Sequence, residues 1–222
     1  MKRYISDQHF YDDDVMLQLD HRPFRNVEDM NECMIRRWND SVKNDDEIYV
    51  IGDMFSWSGT GRDPEKLNAV LHRLKGRIYL IIGNHDLKWF DRPDVDSGRF
   101  EWIRHYAEIR DTERNVILSH YPMPFYGMNH MRDKNGKLRT FMLHGHVHDT
   151  REAELLYDFE RRTAQVTVTT AGGRAEPVIC NLVNCFCGYS DYRPLTLDEW
   201  IRRRAELLQF SGSASCAAFL KV

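Results

Sequence analysis

Residues 77–86 read Arg77-Ile78-Tyr79-Leu80-Ile81-Ile82-Gly83-Asn84-His85-Asp86. Five consecutive β-branched, aromatic or aliphatic residues stopped by glycine predict a buried strand, the strongest in the chain. Beyond the glycine comes a cluster of groups able to bind metal or move protons. The arrangement recurs. Arg3–Ser6, too short for periodicity to assign, leads directly into Asp7-Gln8-His9. Glu47–Ile51 runs into Gly52-Asp53, Asn115–Ser119 into His120, and Phe141–Leu143 into His144-Gly145-His146-Val147-His148. In α/β sheets, ligands bind beyond the carboxyl ends of the strands, so clusters placed there can converge on one site. A random scatter of histidines would not repeat that placement five times.

Between these strands lie helices with legible limits. Asn26 caps the first, Glu28 and Asp29 suit the positive end of its dipole, and Val27, Met30, Met34, Trp38 and Val42 form its apolar stripe. That stripe reads as core packing rather than as a cofactor box. Asp63 caps the second, Pro64 fills its first turn, Leu67, Val70, Leu71 and Leu74 form the stripe, and Gly76 stops it. Strands are expected to dominate from Gln165 to Cys185, and Thr196-Leu197-Asp198-Glu199 opens a last helix with a capping box. The alternation predicts an α/β fold in one domain over residues 1–210. Residues 211–222 form a C-terminal tail, read as frayed or as an edge strand.

Composition narrows the function. The chain has 222 residues and a formal net charge of −3, so no broad basic field exists to hold nucleic acid or an anionic membrane. Its five cysteines form an odd, scattered set without a C-x-x-C pair, which argues against a disulfide framework or a zinc ribbon. No apolar run approaches the roughly 20 residues that span a bilayer. The N-terminus turns polar after Tyr4 and Ile5, so a cytoplasmic location is the default expectation.

The strand-end groups suggest a chemistry. Residues i and i+2 of an extended segment point the same way, so Asp7 with His9, and His146 with His148, can share a target. Asp7, His9, Asp53, Asn84, His120, His146 and His148 offer nitrogen and oxygen donors suited to Mn, Fe, Zn or Co, with no thiolate among them. Seven are too many for one tetrahedral ion but suffice for two if one carboxylate is shared, and Asp53 is the natural bridge. Two divalent cations outweigh two carboxylates, so the site keeps positive charge for an anion and points to phosphate esters. A paired centre can hold a bridging hydroxide as nucleophile and clamp an in-line displacement at phosphorus. His85, adjacent to Asn84 and not needed as a ligand, is assigned as general acid for the leaving alkoxide.

These motifs in this order resemble the five motifs of the calcineurin-like metallophosphoesterase superfamily, over residues 4–148. The resemblance implies a four-layer α/β/β/α sandwich with a dinuclear centre, Mn or Fe being favoured. It implies one metal on Asp7, His9, Asp53 and His148, the other on Asp53, Asn84, His120 and His146, and His85 as the acid. A closer similarity, to the small single-domain bacterial and phage phosphoesterases, rests on Ser6-Asp7-x-His9-Phe10, Arg22-Pro23-Phe24, Met30-Asn31, Trp38-Asn39 and Tyr192-Arg193-Pro194-Leu195-Thr196-Leu197-Asp198-Glu199. The chain departs from those enzymes at Tyr11-Asp12, where they commonly carry Gly-His, and adds Asp13 and Asp14. Ser56 and Trp57 stand where superfamily protein phosphatases carry Asp and Arg, which excludes that activity.

The expected function is hydrolysis of small phosphodiesters or phosphomonoesters, nucleotides foremost, with no membrane partner. A nuclease and an inactive interaction scaffold of the same fold are the alternatives. Arg22 has two readings, a contact to substrate phosphate or a structural salt bridge, and Asn84 is a second candidate for substrate binding. Asp86 is the candidate to orient His85. Residues 123–140, with His130, Arg132, Lys134 and Arg139, read either as a hairpin around Asn135-Gly136 or as a lid whose Phe125 and Tyr126 stack a base or an aryl group. His144 is a neighbour of the site, and His21, His72 and His105 have no assigned role.

Overall fold

The computed structural model describes residues 1–12, 18–56, 62–90, 92–169 and 172–210. Two four-stranded sheets organise them. The first contains β1 (Lys2–Ile5), β2 (Glu47–Ile51), β3 (Arg77–Ile81) and β4 (Phe100–Arg104), all parallel and in that order. Helix α1 (Val27–Ser41) crosses from β1 to β2, and α2 (Pro64–Arg73) from β2 to β3. Because such crossovers are right-handed and the sheet grows in one direction, both helices cover the same face.

Strand periodicity shows what each face meets. Ile5, Ile48, Val50, Ile78 and Leu80 share one buried cluster with Met30, Met34 and Trp38 of α1 and Leu67, Val70 and Leu71 of α2. Their alternates Tyr4, Tyr49, Ile51, Tyr79 and Ile81 pack with Val116, Leu118, Phe141, Leu143 and Val183. Those partners belong to the second sheet, whose order is β10 (Leu182–Asn184), β7 (Thr140–His144), β6 (Arg114–Ser119), β5 (Tyr106–Asp111). Only the β5–β6 pair is antiparallel. The outer face of this sheet, Ile117, Met142 and Leu182, is met by Leu156 of α3 (Arg151–Thr163). A small hairpin of β8 (Thr167–Thr169) and β9 (Ala175–Pro177) stands apart, and α4 (Leu197–Phe210) docks on β1 through Trp200 Nε1, which donates to the Tyr4 carbonyl at 2.9 Å.

The expected caps are in place. Asn26 accepts from the Asp29 amide at 2.8 Å, Asp63 from Glu65 at 3.0 Å, and Glu199 takes both the amide and the hydroxyl of Thr196. Such caps each stabilise a helix by about 1 kcal/mol. Helix α3 and strands β4 and β5 are additions to the sequence reading. Residues 131–139 form the hairpin reading of the insert: Asp133 and Lys137 pair across the turn, and Gly136 takes a left-handed φ of 78°. The Tyr126 hydroxyl donates to the Asn181 carbonyl and Asn129 to that of Ile179, which holds the insert against the approach to β10. The four cysteines among the described residues are free and buried. The tail expected over 211–222, with Asp13, Asp14 and Trp57, lies outside the described residues.

Candidate metal centre

Beyond the strand ends the backbone leaves ordinary conformations. Asp7, His9, Asp53, His146 and His148 all have φ between 45° and 71°. L-residues rarely take this left-handed region, and each instance costs on the order of 1–3 kcal/mol. Asp, Asn and His tolerate it better than most. Five of the seven candidate ligands are thus held in strain, a pattern that points to a function.

The loops that hold them are bonded to one another. Asp7 donates its amide to the Gly52 carbonyl, and His9 to that of Asp53, each at 3.0 Å, so the first two loops run side by side. Buried Asp86 accepts from the amides of Asp53 (2.7 Å), Gly83 (2.9 Å) and Met54 (3.0 Å). Burial and then the charge of Asp53 push the Asp86 carboxyl up to about 7. Its carboxylate therefore fixes backbone and is not the partner of the His85 ring that the sequence suggested. Glycine is required at two of the strand exits by close approach. A Cβ on Gly52 would lie 2.2 Å from His120 Nδ1, and one on Gly83 would lie 2.1 Å from Asp53 Oδ1.

All seven candidate ligands come together, in two adjoining groups. In the first, His148 Nε2 lies 3.6 Å from Asp7 Oδ1, and His9 Nε2 lies 3.6 Å from Asp53 Oδ2. In the second, Asn84 Oδ1 is 3.0 Å from His120 Nε2 and 2.9 Å from His146 Nδ1, while Asp53 Oδ2 is 3.2 Å from His120 Nε2. Asp53 belongs to both. Its other oxygen accepts the His85 amide at 2.8 Å.

These donors fit metal ions. The Ile51 carbonyl sits 3.0 Å from His120 Nδ1 and accepts a proton held there, which turns Nε2 toward the oxygens of Asn84 and Asp53. A cation there, whether a metal ion or a proton on Nε2, satisfies all three. His9, 1% exposed, has neither ring nitrogen hydrogen-bonded. Separations of 3–4 Å suit ligand atoms sharing an ion at about 2.0–2.2 Å. Burial opposes charge on Asp53, yet His120, His9 and the His85 amide outweigh it and hold the carboxyl well below its usual range. Burial likewise lowers His120, but Asp53 and Asp7 push it up to about 9. Burial dominates at His9 and His146 and lowers both.

His9, Asp53, Asn84, His85, His146 and His148 line a cleft of about 490 Å³. A larger cavity, about 950 Å³, is elsewhere, beside the starts of β6 and β7. It holds none of the strand-end groups, and its Arg114, Arg139 and Arg204 are paired with Asp198, Glu113 and Glu160. His85 opens into the cleft and meets the His9 ring edge-on at a centroid distance of 4.8 Å. Asp12, fully buried, forms a third close group with His9 and His85.

Two substrate candidates lie away from the cleft's described lining. Arg22 is buried and its guanidinium is committed to Asp20 and to the carbonyls of Asp7 and Gln8, so the salt-bridge reading holds. Tyr126 is tied to Asn181, and no residue of the 123–140 insert is among the described lining of the cleft. Sequence reasoning missed Asp20, which lies 2.9 Å from His148 Nδ1. No sequence motif marks it.

No family model matches the chain. Over 144 residues it is 38% identical to an uncharacterized protein of Methanocaldococcus jannaschii, the match covering 65% of this chain and 67% of that protein. The chain belongs to the same family as that protein. It is also 29% identical over 140 residues to the Gene 66 protein of Mycobacterium phage L5, over 55% of this chain and 66% of the phage protein. The crystal structure of a protein of unknown function from Aquifex aeolicus shares the fold, with a TM-score of 0.57 at 23% identity over 90% of this chain and 96% of that one. A phosphoesterase from E. coli, Yfce, aligns with a TM-score of 0.34 at 17% identity, over 66% of this chain and 69% of its own, too slight a likeness to bear on function.

Proposed function

We propose that the chain is a dinuclear metal-dependent phosphoester hydrolase of the calcineurin-like superfamily, acting on small phosphodiesters or phosphomonoesters, nucleotides foremost. The observation that carries this reading is Asp53 Oδ2, which faces His9 Nε2 at 3.6 Å and His120 Nε2 at 3.2 Å. One carboxylate oxygen between two imidazole groups is what a bridging ligand requires. The separate clusters on the two faces of each sheet support a four-layer α/β/β/α order in a single domain over residues 1–210.

Asp7, His9, Asp53 and His148 would hold one ion, and Asp53, Asn84, His120 and His146 the other, Mn or Fe being favoured. Such ions supply positive charge to the phosphate oxygens and lower the pKa of water. His85 has the general-acid role: its backbone is fixed by Asp53, and its ring is free in the cleft to give a proton to a leaving oxygen. A small substrate is favoured over nucleic acid. Arg151 is the one cation among the cleft's described lining, and it is paired with Glu154.

The test is turnover of aryl phosphomonoesters and diesters, nucleotides and cyclic nucleotides by the Mn-loaded protein. At least one class is expected to be hydrolysed; metal-loaded protein that turns over none would refute the activity. His85→Ala is expected to lose about 10²–10⁴-fold on poor leaving groups and less on aryl esters, with metal content retained. Equal loss on both would remove the acid role.

A further inference from the structure

We infer that Asp20 and Arg22 form a positioning pair that presents His148 through Nε2 and locks the Asp7–His9 loop against the His146–His148 loop. This deepens the proposed function, since it takes His148 as a metal ligand.

Asp20 offers both carboxylate oxygens to His148 Nδ1, at 2.9 and 3.1 Å. The proton on that nitrogen is thereby claimed, and Nε2 is left bare toward Asp7 Oδ1. Phe186 stacks on the same imidazole at 4.9 Å and restricts its tilt. A carboxylate behind a ligating histidine fixes both tautomer and ring orientation. Arg22 does the rest with its planar fork. Nε and Nη2 donate to Asp20 Oδ2 at 3.0 and 2.9 Å, Nη2 also to the Asp7 carbonyl at 2.8 Å, and Nη1 to the Gln8 carbonyl at 2.6 Å. One guanidinium therefore joins the strained Asp7–His9 backbone to the carboxylate that aims His148.

Stability alone explains this pair poorly. The Arg22 and Asp20 side chains are 1% and 2% exposed, and buried ion pairs are often matched or bettered by apolar residues of similar volume. Geometry gives the better reason: lysine in place of Arg22 would keep the charge but could not reach three acceptors in one plane.

The experiment uses the full chain and Mn alone. Titration of Asp20→Asn is expected to show one of two Mn positions weakened about 10–100-fold, the other unchanged, with Arg22→Lys weakening the same position. Nitrogen-15 spectra of histidine-labelled, metal-free protein are expected to show the Nδ1–H form of His148 in the parent and a shifted tautomer population in Asp20→Asn. His148→Gln identifies the signal. Asp20→Ala is expected to show a larger effect; if it fails to fold, Asp20→Asn carries the test. Parental Mn affinity at both positions together with an unchanged His148 tautomer would overturn the inference. A parent protein that binds no Mn would sink the proposed function instead, while the tautomer measurement would still decide whether Asp20 orients His148.

Discussion

Asp53 shows how much one side chain can be asked to do. One oxygen faces both imidazole groups, the other fixes His85, and its amide is held by Asp86. The space that permits this is made by glycine. Gly83→Ala would drive a methyl to 2.1 Å from Asp53 Oδ1 and 2.5 Å from the Asp53 amide nitrogen. Far-UV circular dichroism should remain that of the parent while bound metal falls by at least one ion per chain. Full metal content in the variant would show that Asp53 can move without loss. At this scale the candidate ligands were legible, because each sits within a few residues of a strand end and its chemistry is local. Asp20 was not, because its role depends on meeting a histidine 128 positions away. Arg22 stayed open between two readings for a related reason: its charge can be read from sequence, its burial cannot.

The elements divide by how they are marked. Helices α1 and α2 carry capping residues and broad apolar stripes, and β2 and β3 are nearly all buried. Helix α3 buries only Ala153, Tyr157 and Glu160, and the last of these is a carboxylate held by Arg204 and the Leu182 amide. A polar residue on the buried face hides the period. Strands β4 and β5 sit at sheet edges with one buried residue each, Phe100 and Ala107, so neither forms a continuous apolar run. The start of the first sheet also has a pH-sensitive tie. Asp46, its side chain 5% exposed, accepts from the Lys43 amide at 3.1 Å and Arg3 Nε at 3.2 Å. Burial pushes its carboxyl up, but these bonds outweigh it and hold it below the ordinary value. A lowered folded-state pKa means the contribution is present above the unfolded value of about 3.9 and lost as pH falls through the lower folded value. Asp46→Asn is expected to lose about 1–3 kcal/mol in urea unfolding at pH 7, with the difference shrinking below pH 4. A difference that does not change with pH would rule out the charge as its source.

At the scale of the molecule, two sheets meet face to face and bring five strand exits to one edge, three from the first sheet and two from the second. The residues by themselves announced the exits, while the sharing of them by two sheets was expected only from the family resemblance, since strand pairing depends on contacts across the whole chain. Seams such as the Ser6 amide to the Cys185 carbonyl, at 2.9 Å, join the sheets beside the site. No described helix is long and apolar enough to cross a membrane. The pattern at this edge, carboxylate and amide oxygens converging with imidazole nitrogens, leads to the central claim of a paired metal centre. Elemental analysis of the purified chain after loading with Mn and removal of free ions tests it most directly. Two ions per chain are expected; a stoichiometry of one or none under saturating Mn would contradict it.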